Sequence, residues 1–86
     1  LVWITDAGLV SQQWAPQAQP KLCIFEMIYF ARPDSLMQAE SLYSYRIRIG
    51  QRLAQESPAE ADLVIAVPDS GIPAAIGYSQ ASGIPY

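Results

Sequence analysis

The sequence predicts an α/β fold in which a β-hairpin is followed by alternating strands and helices. The first residues are rich in β-branched and aromatic side chains and lead into a glycine-containing turn, which indicates a hairpin. Apolar residues between Ser41 and Glu56 recur at helical spacing. Near the C-terminus, an apolar run, a helix-like segment and a second apolar run follow one another. This order is typical of a βαβ unit with a parallel sheet and a right-handed crossover.

The hairpin is predicted from the run LVWITDAGLV. Leu1–Thr5 forms the first strand, and Leu9 and Val10 begin the return strand. Gly8 ends the turn, where a residue without a Cβ can adopt positive φ. A connector containing proline and glutamine then leads to Lys21.

A long apolar run, Leu22–Ala31, predicts a strand that is covered on both faces, because it is too apolar to leave one face in water. The proline after Arg32 disfavours helical backbone at that arginine, so the run is expected to end there. Asp34 or Ser35 can cap the next element. Arg32 is expected to be structural and could pair with an acidic group.

The best helix runs from Ser41, a suitable N-cap, to Glu56. Its apolar stripe is predicted to be Leu42, Tyr45, Ile49 and Leu53. Its arginines, Arg46, Arg48 and Arg52, are predicted to be solvated. Gly50 costs about 1 kcal/mol relative to alanine in a helix interior, so it predicts close packing against another backbone.

The C-terminal part predicts a central parallel strand at Leu63–Val67 and a helix that begins at about Ile72 and ends near Ser82. Pro73 suits the first helical turn, and Gly83 suits the position just after the helix. A further strand is predicted to start in the last three residues, Ile84–Tyr86.

A candidate site lies in the turn PDSG, between the predicted strand and the last helix. Ligands of open α/β sheets bind beyond the carboxyl ends of the strands, and a helix N-terminus favours phosphate. Ser70 could donate to a phosphate or bind Mg²⁺, Gly71 allows close approach, and Asp69 could hold a metal or a ribose hydroxyl. Ordinary helix capping is the alternative, and spacing alone favours it. Neither G-x-x-x-x-G-K-S/T nor G-x-G-x-x-G is present.

Composition narrows the classes of function. Net charge is -3, and the five basic residues are scattered, which argues against nucleic acid as a partner. No apolar run approaches the roughly 20 residues that span a bilayer.

The single cysteine, Cys23, cannot form an internal disulfide, which suits a reducing compartment. It is interpreted either as a buried apolar thiol or as one ligand of a metal site, although the chain has no histidine. The absence of an initial methionine and the strand-like end lead us to expect a fragment of a longer protein.

Three segments together resemble the amidophosphoribosyltransferases, also called glutamine phosphoribosylpyrophosphate amidotransferases: CIFEMIYFARPDS, SYRIRIGQRLAQE and VIAVPDSGIPAAIGYSQASGIPY. The resemblance implies that residues 1–20 are the end of an N-terminal-nucleophile glutaminase domain and a connector. It further implies that residues 21–86 are the opening, incomplete β-α-β-α-β part of a type I phosphoribosyltransferase domain.

The implied activity is synthesis of 5-phosphoribosylamine from phosphoribosylpyrophosphate and glutamine-derived ammonia, the first committed step of purine (IMP) biosynthesis. Such a pentosyltransferase is expected to be cytoplasmic and homo-oligomeric, with no membrane or nucleic-acid partner. The fragment alone is expected to be inactive and poorly soluble, because it lacks the catalytic cysteine and the phosphoribosylpyrophosphate loop and leaves apolar strand faces uncovered.

The resemblance also implies roles for single residues. Ser70 matches a Mg²⁺ ligand of the family, with Asp69 and Gly71 beside the substrate. Cys23 matches a ligand of a 4Fe–4S cluster, which requires four ligands. No residue matches a catalytic one. The competing readings are a phosphoribosyltransferase without a glutaminase half and a non-catalytic α/β binding or structural domain.

Overall fold

The computed structural model describes all residues from Leu1 to Tyr86 and begins with the predicted hairpin. Strands β1 (Val2–Thr5) and β2 (Gly8–Ser11) pair in antiparallel register, with Trp3 opposite Val10. Gly8 has a φ of 114°, as the turn was predicted to require. The hairpin is therefore confirmed.

The segment after the connector is helical, so the strand predicted at Leu22–Ala31 is wrong. Residues Glu26–Phe30 form a π-helical turn, which closes with a hydrogen bond of 3.1 Å from the Ala31 amide to the Glu26 carbonyl. The ring of Phe25, just before this turn, meets the ring of Tyr29 edge to face. An apolar run of this length has the same composition in a buried helix as in a buried strand, so the pattern alone could not separate them.

Arg46 binds the carbonyl groups at the end of this π-helical turn. The prediction that Arg46 is solvated is therefore also wrong. Its side chain is only 1% exposed. The guanidinium donates to the carbonyl of Met27 at 2.9 Å and to that of Ala31 at 2.8 Å, with a longer contact of 3.4 Å to the Glu26 carbonyl. The last carbonyls of a helical segment lack partners within it, so a cation with several donors is well suited to this position.

A second hairpin, which the sequence did not predict, precedes the main helix. Strand β3 (Leu36–Met37) pairs with β4 (Glu40–Ser41). Gln38 and Ala39 form the turn with φ of 52° and 64°. The turn lacks the Gly, Asn or Asp that usually signals such backbone, which explains why it was missed. The chain therefore continues after Asp34 and Ser35 as a strand, and the predicted cap there is wrong.

Both predicted helices are present at the predicted bounds. Helix α1 spans Leu42–Glu56, with Ser41 at its N-cap, although the Ser41 side chain makes no capping hydrogen bond. Helix α2 spans Ile72–Ser82 and has proline in its first turn. Gly83 ends it in the left-handed conformation, with φ of 78°. Proline in the first turn and glycine just after the last turn thus predicted the bounds of α2 correctly.

The buried line of α1 differs from the predicted stripe by about one position. It consists of Leu42, Arg46, Gly50 and Ala54, which follow one another at intervals of four residues. By contrast, Leu53 is 49% exposed. The line faces α2 and the π-helical turn, where small side chains and one long arginine fit better than bulky apolar ones.

The two helices meet at two glycines, which confirms the close packing predicted at Gly50. A Cβ on Gly50 would overlap the carbonyl oxygen of Ala74 and lie 2.9 Å from the amide nitrogen of Tyr78. A Cβ on Gly77 would overlap the carbonyl oxygen of Ile47. Each helix thus presents a glycine to the backbone of the other, and neither position has room for a side chain.

The parallel strands predicted at the C-terminal end do not form a sheet. Residues 63–67 have no regular secondary structure, and neither do residues 83–86. One hydrogen bond joins them, from the Val64 amide to the Pro85 carbonyl at 2.8 Å. An isolated pair of short parallel strands lacks the neighbours that stabilise such pairing. The predicted strands are therefore wrong as regular elements, although the two segments lie next to each other.

The chain is elongated, with a radius of gyration of 18.6 Å and extents of 58 × 29 × 19 Å. A compact domain of this length would have a radius of about 12 Å. Only seven residues are buried, and apolar side chains such as Ile65 and Val67 are 81% exposed. The helices and two small sheets agree with an α/β class in coarse terms. No helix is both long and apolar enough to cross a bilayer.

Candidate functional site

The candidate site is the turn Pro68–Gly71, which enters α2. The Gly71 amide donates to the Val67 carbonyl at 3.2 Å, and the Ile72 amide makes a longer contact of 3.4 Å to the Asp69 carbonyl. The amide of Ala75 then donates to the Gly71 carbonyl at 2.9 Å, which starts the helical pattern. The turn is thus fixed by main-chain bonds.

Gly71 is required by the tightness of this turn. Its φ of -77° is ordinary, so positive φ is not the reason. A Cβ there would lie 2.6 Å from the carbonyl oxygen of Val67. Because that atom is backbone, it cannot move aside without opening the turn. The absence of a side chain at Gly71 therefore lets the chain reverse directly onto α2.

The side chains of Asp69 and Ser70 do not cap the helix. Gly71 occupies the N-cap position, and no side chain makes a capping hydrogen bond to α2. Asp69 is exposed and Ser70 is half-buried. Neither side chain forms a hydrogen bond or an ion pair within the chain, so the capping alternative is not supported.

Asp69 and Ser70 are thus consecutive residues just before a helix N-terminus, and the side-chain oxygens of both are free of hydrogen bonds. Hydroxyl and carboxylate oxygens are hard ligands of the kind Mg²⁺ accepts, and Mg²⁺ usually binds through one or two protein oxygens together with waters and substrate phosphates. The donor set of Ser70 and Asp69 fits such an ion. The partial positive charge of the helix N-terminus favours a phosphate at the same place. No three acidic, histidine or cysteine side chains gather anywhere in the chain as a complete metal site.

Cys23 lies away from any second thiol, because it is the single cysteine of the chain. Its side chain is exposed, so the reading as a buried apolar thiol is wrong. Its carbonyl accepts a hydrogen bond of 3.1 Å from the Glu26 amide, which places it at the start of the helical segment. The residues present supply one thiol and do not by themselves fit a 4Fe–4S cluster.

The remaining arginines lie on the surface in ion pairs. Arg32 donates to both carboxylate oxygens of Asp34, at 3.0 and 2.8 Å, so the acidic partner expected for Arg32 is present. Arg52 pairs with Glu56 one turn later at 2.6 Å, and Arg48 pairs with Glu40. Both helix arginines are exposed, as the sequence predicted. None of these pairs belongs to the candidate site.

The Arg32–Asp34 pair has a consequence that titration can measure. The hydrogen bonds from Arg32 hold the pKa of the Asp34 carboxyl below its ordinary value of about 3.9. The folded-state pKa is depressed, so whatever the pair contributes is present above the ordinary value and is lost as pH falls through the lowered one. We expect Arg32→Ala to return the Asp34 pKa to the ordinary range in a carboxyl-carbon NMR titration. An unchanged pKa would contradict the pairing, and Arg52→Ala is the matched control.

Comparison with known proteins finds relatives that are similar to this chain over its whole length. Over all 86 residues the chain is 74% identical to the amidophosphoribosyltransferase of Synechococcus elongatus and 70% identical to that of Synechocystis. The chain matches one segment of the amidophosphoribosyltransferases. The resemblance predicted from the sequence is therefore confirmed. The chain spans about 17% of the length of these curated relatives, and it matches no protein-family model.

Solved structures show the same similarity. The glutamine phosphoribosylpyrophosphate amidotransferase from B. subtilis, solved with ADP and GMP, matches with a TM-score of 0.75 at 47% identity. The match covers 99% of the chain and 19% of that enzyme. A structure described as the allosteric regulatory enzyme of purine biosynthesis matches with the same score and identity and is covered to 18%. The similarity thus extends from sequence to fold.

Arg46 is the residue that sequence reasoning misplaced most clearly. A signal for it was present, because Arg46 lies four residues from both Leu42 and Gly50 and so shares their face of a helix. Because Gly50 predicts close packing, the residues on its face of the helix, including Arg46, should have been predicted to be buried.

Proposed function

We propose that this chain is part of an amidophosphoribosyltransferase, which transfers glutamine-derived ammonia to phosphoribosylpyrophosphate and forms 5-phosphoribosylamine for purine biosynthesis. The observation that carries the proposal is the 74% identity to such an enzyme across the entire chain. The free donors at the start of α2 support it, because a phosphorylated sugar and its metal ion need oxygen ligands and a positive helix end at one place.

Within this function, Ser70 is a Mg²⁺ ligand and Asp69 and Gly71 line the substrate. The Ser70 hydroxyl would hold the ion together with the substrate's own oxygens. When bound, Mg²⁺ supplies positive charge against the pyrophosphate that leaves. The turn contributes rigidity, since its main-chain bonds and the absence of a side chain at Gly71 fix the backbone from which the two side chains extend.

The finer divisions are part of the proposal. Residues 1–20 end the glutaminase domain, and residues 21–86 open the type I phosphoribosyltransferase domain. The whole enzyme uses phosphoribosylpyrophosphate and glutamine, is homo-oligomeric and works in the cytoplasm. For Cys23 we propose a role as one cluster ligand only in an enzyme whose other parts supply three more thiolates, and no step of the reaction depends on it.

A chimera tests the function. In this chimera, the present sequence replaces the 86-residue segment of the Synechococcus elongatus enzyme that it matches. We expect 5-phosphoribosylamine synthesis with either glutamine or free ammonia as nitrogen source. A chimera that melts cooperatively at the temperature of the parent enzyme, and is therefore folded throughout, but makes no phosphoribosylamine would overturn the proposal.

Ser70→Ala in the chimera tests the proposed ligand. Loss of the hydroxyl should raise the Mg²⁺ concentration needed for half-maximal ammonia-dependent synthesis by about tenfold, which corresponds to one lost ligand contact of about 1.4 kcal/mol. Glutamine hydrolysis should stay within about twofold of the parent. Ser79→Ala is the matched control, because Ser79 lies further along α2, where its hydroxyl donates to the Ile84 carbonyl at 2.6 Å. Equal loss of both half-reactions in Ser70→Ala would contradict a metal role.

A further inference from the structure

The position of the candidate site depends on where α2 lies. Ser70 precedes the first residue of α2 by two positions, and its hydroxyl has no hydrogen bond of its own within the chain. The Ala75 amide bonds to Gly71, so the turn is continuous with the helix. A shift of α2 therefore carries Ser70 with it.

Helix α2 is held almost entirely by α1, which is its main packing partner. Two side-chain bonds join the helices: Gln51 Nε2 donates to Gln80 Oε1 at 3.1 Å, and the Tyr78 hydroxyl donates to the Ser57 carbonyl at 3.0 Å. Both bonds are exposed to solvent and depend on side chains that can rotate. The segment before the turn adds one main-chain bond, from Val64 to Pro85.

The contact at Gly50 and Gly77 differs from these bonds because it joins backbone to backbone. The Ala74 carbonyl lies against Gly50, and the Ile47 carbonyl lies against Gly77. Backbone atoms inside two helices cannot rotate out of the way, so this contact sets both the separation and the sliding position of the helices. Ala74 is in the first turn of α2, next to the candidate site.

We propose that Gly50 and Gly77 are positioning residues for the phosphoribosylpyrophosphate and Mg²⁺ site, because their backbone contact determines where α2 presents Ser70. The inference rests on the proposed function and adds to it two residues that touch neither substrate nor metal. It explains why the main helix contains a glycine in its interior, where alanine would be intrinsically better.

The displacement that one methyl group would cause can be stated. A Cβ on Gly77 would lie 2.9 Å from the carbonyl carbon of Ile47, and ordinary contacts begin at 3.4 Å. The carbonyl oxygen is closer still, so α2 must move by about 1 Å or tilt. A misplacement of this size in a positioned reactant costs about 100-fold in rate.

The test is the Gly77→Ala variant of the chimera, assayed with ammonia as nitrogen source. We expect kcat/KM for phosphoribosylpyrophosphate to fall about 100-fold and the half-saturating Mg²⁺ concentration to rise, while glutamine hydrolysis stays within about twofold. Unchanged values for both the substrate and Mg²⁺ in a folded variant would overturn the inference.

Gly83→Ala is the matched control for simple loss of stability. Gly83 has a φ of 78°, which alanine adopts only with strain, but no atom lies within 4 Å of its Cβ position. It lies at the opposite end of α2 from Ser70. We expect this variant to lower the melting temperature without changing the Mg²⁺ dependence. A Mg²⁺ shift as large as that of Gly77→Ala would show that stability alone is responsible, and would overturn the inference.

A second variant covers the case in which Gly77→Ala fails to fold. Gly50→Ala adds one methyl group on the other side of the same backbone contact, against the Ala74 carbonyl, and should likewise raise the Mg²⁺ requirement. No change would overturn the inference in that case. The failures are distinguishable, because an inactive parent chimera refutes the proposed function, whereas an active parent with unaffected variants refutes only the positioning role.

Discussion

Replacement of Arg46 by methionine is expected to destabilise the contact between α1 and the π-helical turn by about 3 kcal/mol. The arginine is 1% exposed and donates to carbonyls at both Met27 and Ala31. Buried acceptors left without a donor cost about 1–3 kcal/mol each. Methionine fills similar space, so the loss comes from the hydrogen bonds and only slightly from a cavity.

The desolvation cost of the Arg46 guanidinium keeps the expected loss of stability from being larger. A buried guanidinium has a large desolvation cost, and no carboxylate offsets it here, since its acceptors are main-chain carbonyls. One nitrogen, Nη1, is buried without any partner. Removal of the charge recovers part of that cost. The lost carbonyl bonds still dominate, because the carbonyls at a helix end have no alternative donor within the chain.

Hydrogen–deuterium exchange of the chimera measures the effect locally. We expect Arg46→Met to increase exchange strongly in the peptide that covers residues 22–31, while residues 2–11 of the first hairpin stay unchanged. Arg46→Lys should give most of the same loss, because an ammonium cannot reproduce the planar fork. Arg52→Met, on the exposed side of the same helix, is the matched control and should have little effect. Unchanged protection at residues 22–31 in Arg46→Met would contradict the role described here.

Local chemistry in the sequence predicted those elements whose ends are marked by special residues. The first hairpin was predicted from Gly8 and the β-branched strand before it. The end of α2 was predicted from Gly83, which needs φ of 78°. In such cases one residue has a backbone freedom that others lack, so its position carries direct information about the fold.

Elements that depend on distant contacts could not be predicted in this way. The run at Leu22–Ala31 is apolar throughout, and its helical form is tied to Arg46, 15 to 20 positions away in sequence. The predicted parallel strand at Leu63–Val67 requires neighbouring strands, and within these residues it has one bond to Pro85. Neither dependence is encoded in local periodicity.

In the candidate site too, local residues predicted the position of the turn, whereas its contacts could be seen only in the structure. The turn before α2 was located from Asp69, Ser70 and Gly71, since residues of these types cluster where a strand passes into a helix. Spacing favoured ordinary capping, and only the three-dimensional structure shows that neither side chain caps α2. The roles of Gly71 against Val67, and of Gly77 against Ile47, are contacts between backbones and leave no pattern of their own in the sequence.

Gly50→Ala is expected to destabilise the helix pair by about 2 kcal/mol, although helix propensity alone predicts the opposite. Alanine is favoured over glycine by about 1 kcal/mol in a helix interior. Overpacking of a filled contact costs about 1–3 kcal/mol, and the cost here is at the upper end. The atom in the way is the carbonyl oxygen of Ala74, which belongs to the backbone of α2.

The measurement is hydrogen exchange in α1 and α2 of the chimera, with Ser44→Ala as the matched control. Ser44 is exposed on the same helix, so alanine there changes propensity without any new contact. We expect slightly slower exchange in the control and clearly faster exchange in Gly50→Ala. If Gly50→Ala instead stabilised α1 by the full propensity difference, the helices would have room to separate at no cost. The backbone contact could then not determine the position of α2, because a contact that yields to one methyl group cannot hold a site in place.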